Sequence, residues 1–172
     1  MPVRSPSIAV LLGCLAAGAC ASSRAVPRPF PAPRTTEVKS PGVANGSALA
    51  PANRALVADA LQLQGVRYRN GGNDPDGFDC SGFVWYVFSR QGIAVPRTVA
   101  SQFHTGAPVR PDALRPGDLV FFHTGSSPAS HVGMVVGTDL FVHAPSSHGV
   151  VRTERLSAPY WASRYVGARR LT

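Results

Sequence analysis

From Leu119 onward the apolar residues come in short runs, at 119–122, 131–136, 140–143, 150–152 and 165–170, separated by Gly, Pro, Ser and Asp. Runs of this kind, bounded by turn residues, are predicted strands. The chain before them is patterned differently. "NRALVADALQLQG" sets Leu56, Val57, Ala60, Leu61 and Gln64 at helical spacing and closes on Gly65, a suitable C-terminal cap. A second helix is expected from about Cys80 to Gln91, with Phe83, Val84, Val87 and Phe88 on one face, Asp79 as N-cap and Gly92 as the stop. The intervening "VRYRNGGNDPDGFD" is rich in turn formers and reads as a loop. "VPRTVASQFHTG" adds a short helical segment, and a Pro-Gly turn in "LRPGDLVFFH" introduces the first strand. Helices first and strands afterwards predict an α+β domain with an antiparallel sheet.

This pattern occupies residues 51–172. Residues 1–20 differ from it: one arginine, an apolar stretch and then "LAAGAC" make an export signal, too short to span a membrane. "LAAGAC" resembles a bacterial lipobox, in which Cys20 would become the lipidated first residue of the mature chain. "ACA" ending at Ala21 fits ordinary signal-peptidase cleavage instead, and Cys14 is a third, poorly preceded candidate. Residues 21–50, rich in Pro, Ala, Ser and Arg and without periodicity, read as a tether. If Cys20 is lipidated, the absence of aspartate beside it favours an outer-membrane lipoprotein facing the periplasm; otherwise the protein is secreted. The formal charge of +8, mostly arginine, suits anionic envelope surfaces. No basic cluster with interleaved aromatics points to nucleic acid.

Of three cysteines, two fall in or at the end of the signal, which leaves Cys80 without a disulfide partner in the domain. Cysteine is often a small buried hydrophobe. Here, however, it falls in the first turn of a helix, where free N–H groups and the helix dipole stabilise a thiolate and can receive an oxyanion. A nucleophilic thiol needs a base, and "HVGMVVGTDLFVH" offers two. With a three-residue loop at 137–139, Val136 faces Leu140 and Gly133 faces His143, so His131 and His143 share a sheet face and lie diagonally. Gly133 would then leave space beside His143, and one imidazole could hold the other in its working tautomer. A two-residue loop would separate them. His104, His123 and His148 lie in polar surroundings and read as surface or local hydrogen-bonding residues. Zinc is the rival use of one Cys and two His, but no closely spaced ligand pair is present.

The blocks "YRNGGNDPDGFDCSGFV", "VPRTVASQF", "LRPGDLVFF", "HVGMVVG" and "FVHAPS" together resemble the NlpC-type papain-like cysteine peptidases, bacterial enzymes that cut peptidoglycan stem peptides. The resemblance covers about residues 56–171. It implies a papain-like fold, Cys80 as nucleophile, His131 as general base and His143 as the residue orienting His131. It also implies that Tyr68 helps define the oxyanion site and that Asp79 and Ser81 contact free amino or amide groups of the substrate. The reaction implied is acyl transfer through a Cys80 thioester, with no metal or organic cofactor; the residues leave the oligomeric state open, with a monomer expected. Two other readings belong to different classes. A catalytically silent wall-binding lipoprotein would not need the complete Cys80, His131 and His143 set; a papain-like amidase or acyltransferase acting on lipid would.

Overall fold

The computed structural model of the protein describes residues 51–172 except His148; the expected export signal, Cys20 and the tether lie outside the described residues. Helix α1 spans Pro51–Gln62 and buries Leu56, Ala60 and, just past its end, Leu63. Gln64, expected on the same face, is exposed, because the helix stops two residues earlier. Gly65 takes a left-handed φ of 86°, and its N–H donates to the Val151 carbonyl. The segment that follows is not wholly irregular. Two-residue strands β1 (Asn73–Asp74) and β2 (Gly77–Phe78) pair antiparallel, and single bridges tie Arg67 to Val150 and Tyr68 to Phe78.

Helix α2, Cys80–Arg90, matches the sequence reading closely. Phe83, Val84, Val87 and Phe88 are all buried on its inner face, Asp79 caps its start, and Gly92 (φ 69°) follows its end. Helix α3, Val99–Phe103, is capped by the Thr98 side chain.

The rest of the chain forms a six-stranded antiparallel sheet in the order β3-β8-β4-β5-β6-β7. Its strands are β3 (Ala107–Val109), β4 (Leu119–Phe122), β5 (His131–Val135), β6 (Leu140–His143), β7 (Arg152–Arg155) and β8 (Tyr165–Arg170). A short helix α4, Pro159–Ala162, precedes β8. The sequence reading omits β3 and α4, which are short and only partly apolar. It also places a strand at 150–152. The N–H and carbonyl of Val151 instead join the segment after α1, at Val66 and Gly65. The strand proper starts at Arg152, opposite His143. As an edge strand, β7 carries charge where a central strand carries apolar side chains.

The central strands are buried on both faces, which is why they read as continuous apolar runs. Leu119, Phe121, Val132, Met134 and Val142 meet α1 and α2 in one core. Val120, Phe122, Val135 and Phe141 point the other way, against Leu156, Trp161 and Tyr165. A buried ion pair closes the far end of the sheet, where both Asp118 oxygens accept from the Arg170 guanidinium at 2.7 Å.

One contact fixes the position of α2. A Cβ on Gly82 would lie 2.0 Å from the Gly72 carbonyl oxygen, so the helix start approaches the preceding loop closer than any side chain allows. Gly82→Ala is expected to cost about 3 kcal/mol through overpacking. Urea unfolding should show a lower midpoint at unchanged slope, and a midpoint equal to wild type would refute this contact.

Candidate active site

Cys80 is the first residue of α2, half-buried and not disulfide-bonded. Backbone N–H groups of Ser81 and of Cys80 itself approach its sulfur, as does that of Val132 in β5. The sulfur therefore sits where the helix start meets the strand that begins with His131. The expected stabilisation of a thiolate by these groups is present but is outweighed. Burial, and then the negative charge of Asp79, push the thiol up to about 11.

Of the two loop lengths that the sequence leaves open, the hairpin has the three-residue one. Val136 N–H donates to the Leu140 carbonyl at 2.9 Å, Val135 pairs with Phe141 and Met134 with Val142. His131 and His143 consequently share a face, with His131 Nε2 2.7 Å from His143 Nδ1. Gly133 serves a different purpose from the open space expected of it. The Phe141 ring occupies that space, and a Cβ on Gly133 would lie 2.5 Å from Phe141 Cδ2.

Both histidines are buried, His131 at 7% exposure and His143 at 0%. Trp161 stacks on His131 with centroids 5.5 Å apart and meets His143 edge-on at 4.9 Å. Burial first, then the neighbouring His143, push His131 down from 6.5 to about 3, while Glu154 acts weakly in the opposite direction. At neutral pH the imidazole is thus uncharged and has a lone pair with which to take a proton.

The segment leading into α2 is held by a polar cluster. Asp79 Oδ1 accepts from the Gly82 N–H at 2.7 Å and from Arg97 Nη1 at 2.9 Å, and Oδ2 accepts from Arg97 Nη2 at 2.7 Å. Arg97 also donates to the Gly72 carbonyl and to the Ser81 hydroxyl, both at 3.1 Å. Buried Gln102 donates to the carbonyls of Ser81 and Pro96. Ser81 is itself buried, and its hydroxyl is engaged with Asp79 and Arg97. Tyr68 lies close enough to Cys80 and Asp79 for both, after burial, to raise its phenol. Sequence reasoning passed over Arg97 and Gln102. An arginine between a proline and a helix cap looks like a loop residue, and only the return of that loop over Asp79 gives it a partner.

His104 and His123 are exposed, and His123 Nδ1 lies 2.8 Å from the Ser127 carbonyl; His148 lies outside the described residues. Among the described residues no cluster of three or more His, Cys, Asp or Glu is arranged to hold a metal.

A cysteine heading a buried helix, laid against an antiparallel sheet that carries a histidine pair, has the architecture of the papain-like α+β class. Within that class the chain belongs to the NlpC/P60 family, whose sequence profile matches residues 65–170. It is 46% identical over 109 residues to the murein DD-endopeptidase MepS/murein LD-carboxypeptidase of Escherichia coli, covering 63% of this chain and 57% of that protein. It is 40% identical over 121 residues to the gamma-DL-glutamyl hydrolase of Bacillus subtilis, covering 67% of this chain and 29% of that one. The chain therefore spans less than two thirds of the length of either relative. A crystal structure of an NlpC/P60 family protein from Bacillus cereus superposes with a TM-score of 0.66 at 33% identity, over 70% of this chain and 40% of the other.

The depressed histidine carries a stability consequence. Below pH 6.5 the unfolded chain binds a proton at His131 that the folded chain refuses until about pH 3, so stability falls as pH drops across that window. Calorimetric melting temperatures should decline through it more steeply for wild type than for His131→Asn, which has no group to titrate. Parallel profiles would contradict the buried neutral imidazole.

Proposed function

We propose that this chain is a cysteine endopeptidase of the bacterial cell envelope, hydrolysing amide bonds in peptidoglycan stem peptides or their crosslinks. The observation that carries the reading is the delivery of Cys80, by the start of α2, to the β5 backbone beside the buried His131–His143 pair. Two of its relatives are named as a murein DD-endopeptidase/LD-carboxypeptidase and a gamma-DL-glutamyl hydrolase, which supports the substrate class.

In this reading Cys80 Sγ attacks the scissile carbonyl as its proton passes to His131 Nδ1. Burial disfavours a lone charge on either partner, so the thiolate and the imidazolium arise together, without change in net charge. The oxyanion is received at the start of α2, with Tyr68 beside it. His131 then protonates the leaving amine, and water, deprotonated by His131, hydrolyses the thioester. His143 keeps the ring of His131 oriented. Asp79, its carboxylate held by Arg97, and Ser81 shape the rim on the amino side of the bound peptide. The lipid-directed amidase reading shares this chemistry, and product analysis on wall fragments against phospholipid vesicles separates the two.

The deciding experiment is digestion of purified peptidoglycan with the domain, followed by identification of the new amino termini. Wild type should release stem-peptide fragments, and Cys80→Ser should release none while keeping its melting temperature. Equal activity in that variant would overturn the nucleophile. His131→Ala should lose roughly a thousandfold in turnover, while His143→Asn, whose amide oxygen still accepts the imidazole N–H, should lose only about tenfold. With its proton acceptor gone, Cys80 in His131→Ala should alkylate more slowly at neutral pH than in wild type. Alkylation at neutral pH as fast as in wild type would rule out His131 as the base.

We further propose that Cys20 is acylated, that residues 21–50 tether the domain to the outer membrane, and that the domain acts as a monomer. Fatty-acid analogue labelling should disappear in Cys20→Ala. A wild-type chain that takes up no label and begins at Ser22 would favour the secreted form.

A further inference from the structure

His131 Nε2 and His143 Nδ1 lie 2.7 Å apart, and one of them donates the hydrogen bond while the other accepts. Viewed as a pair, the two imidazoles do not determine which. The choice decides whether the site can work, because only an unprotonated His131 Nδ1 can accept the proton of Cys80.

An acidic residue on the edge strand breaks the symmetry. Glu154 pairs with Phe141 in the β6–β7 ladder, which turns its side chain to the sheet face that carries both histidines. Its Oε1 stands 3.5 Å from His143 Nε2, the nitrogen on the far side of that ring from His131. The carboxylate is also fixed in place. Oε1 accepts from Arg152 Nη2, and Oε2 accepts from the indole N–H of Trp161. Among the described residues, the rings packed on the pair are Phe122 from β4, Phe141 from β6 and the indole of Trp161 from α4. Among the described residues, the charged groups on the pair's outer side are Glu154 and its partner Arg152, both from β7, while Cys80 of α2 meets the β5 backbone at Val132, next to His131.

We propose that Glu154 is a positioning residue for this site, fixing the tautomers of both histidines from the outer end of the row. The inference rests on the cysteine-hydrolase reading above. With a carboxylate beside it, Nε2 of neutral His143 carries the hydrogen. Nδ1 of His143 then holds a lone pair and accepts from His131 Nε2–H, which leaves His131 Nδ1 unprotonated and able to take the thiol proton. The opposite arrangement would set two lone pairs, on Nε2 and Oε1, against each other in a buried place and would put a hydrogen on His131 Nδ1. In the chemical step only the S–H bond of Cys80 breaks. Its proton goes to His131 Nδ1, and no proton passes from His143 to Glu154. The carboxylate stabilises the imidazolium that results through its charge, at a distance.

Glu154→Gln tests this with little change of shape. The carboxamide lacks the charge, and its NH2 must point either at Trp161 or at the Arg152 and His143 side, where it would donate to Nε2 and select the wrong tautomer. We expect kcat on soluble wall peptide to fall about tenfold or more, with KM within about twofold, as for loss of an orienting group. The pH midpoint of Cys80 alkylation should rise, because the imidazolium loses a stabilising charge. Nitrogen-15 NMR of imidazole-labelled wild type should show His143 protonated at Nε2 and unprotonated at Nδ1. A purely structural Glu154 would lower only the melting temperature. Wild-type kcat and alkylation midpoint in Glu154→Gln, or a wild-type spectrum with the proton of His143 on Nδ1, would overturn the proposal. If Glu154→Gln does not fold, the wild-type spectrum still decides. The underlying function fails separately, through inactive wild type or active Cys80→Ser, and the tautomer is measurable in either case.

Discussion

The pairing of Val135 with Phe141 is the constraint on which the site depends. A slip of one residue would turn His143 toward the helix-facing core and expel Phe141 from the space over Gly133, because side chains alternate along a strand. The register is defended at the hairpin tip. The Asp139 carbonyl accepts from the Leu156 N–H at 3.0 Å, and its carboxylate accepts from the backbone N–H and hydroxyl of Ser157. The loop that sets the histidines face to face is thus bound to the chain that follows β7, the strand that carries Glu154.

Burial of the sheet on both faces governs the electrostatics. Against Trp161 and Phe122, the buried His131 is kept neutral, and the thiol across the helix–sheet boundary is kept protonated. In such a setting each formal charge nearby has weight. Asp79 is needed as the cap that begins α2, yet its charge opposes ionisation of the adjacent thiol. The guanidinium of Arg97, bound to both its oxygens, offsets that charge while anchoring the helix start to the Gly72 loop. Cap, counter-charge and loop are therefore one device, and Gly82 is the position that lets its parts approach.

Much of this was legible in the residues. The apolar spacing of α2, its aspartate cap and the alternation of the hairpin are local signals, and local signals survive folding. The histidine pair was legible only in part, because a period of two puts both residues on one face for a three-residue loop, and the residues did not decide between two and three. Other features depend on contacts distant in sequence. Val151 is apolar enough for the sheet, but it joins the segment after α1, more than eighty residues away in sequence. Arg97 acquires its meaning from Asp79, and Glu154 from Trp161 and His143, and in neither case does sequence spacing announce the meeting. The ring that fills the space over Gly133 was missed because a glycine in a strand signals close approach without saying of what.

Trp161 lies flat against His131, and the other tryptophan of the chain, Trp85, belongs to α2. An excited indole gives up an electron readily to a protonated imidazole and poorly to a neutral one. The stacking thus couples protonation of His131 to light emission. Trp161 is thereby placed to report optically on the charge of His131.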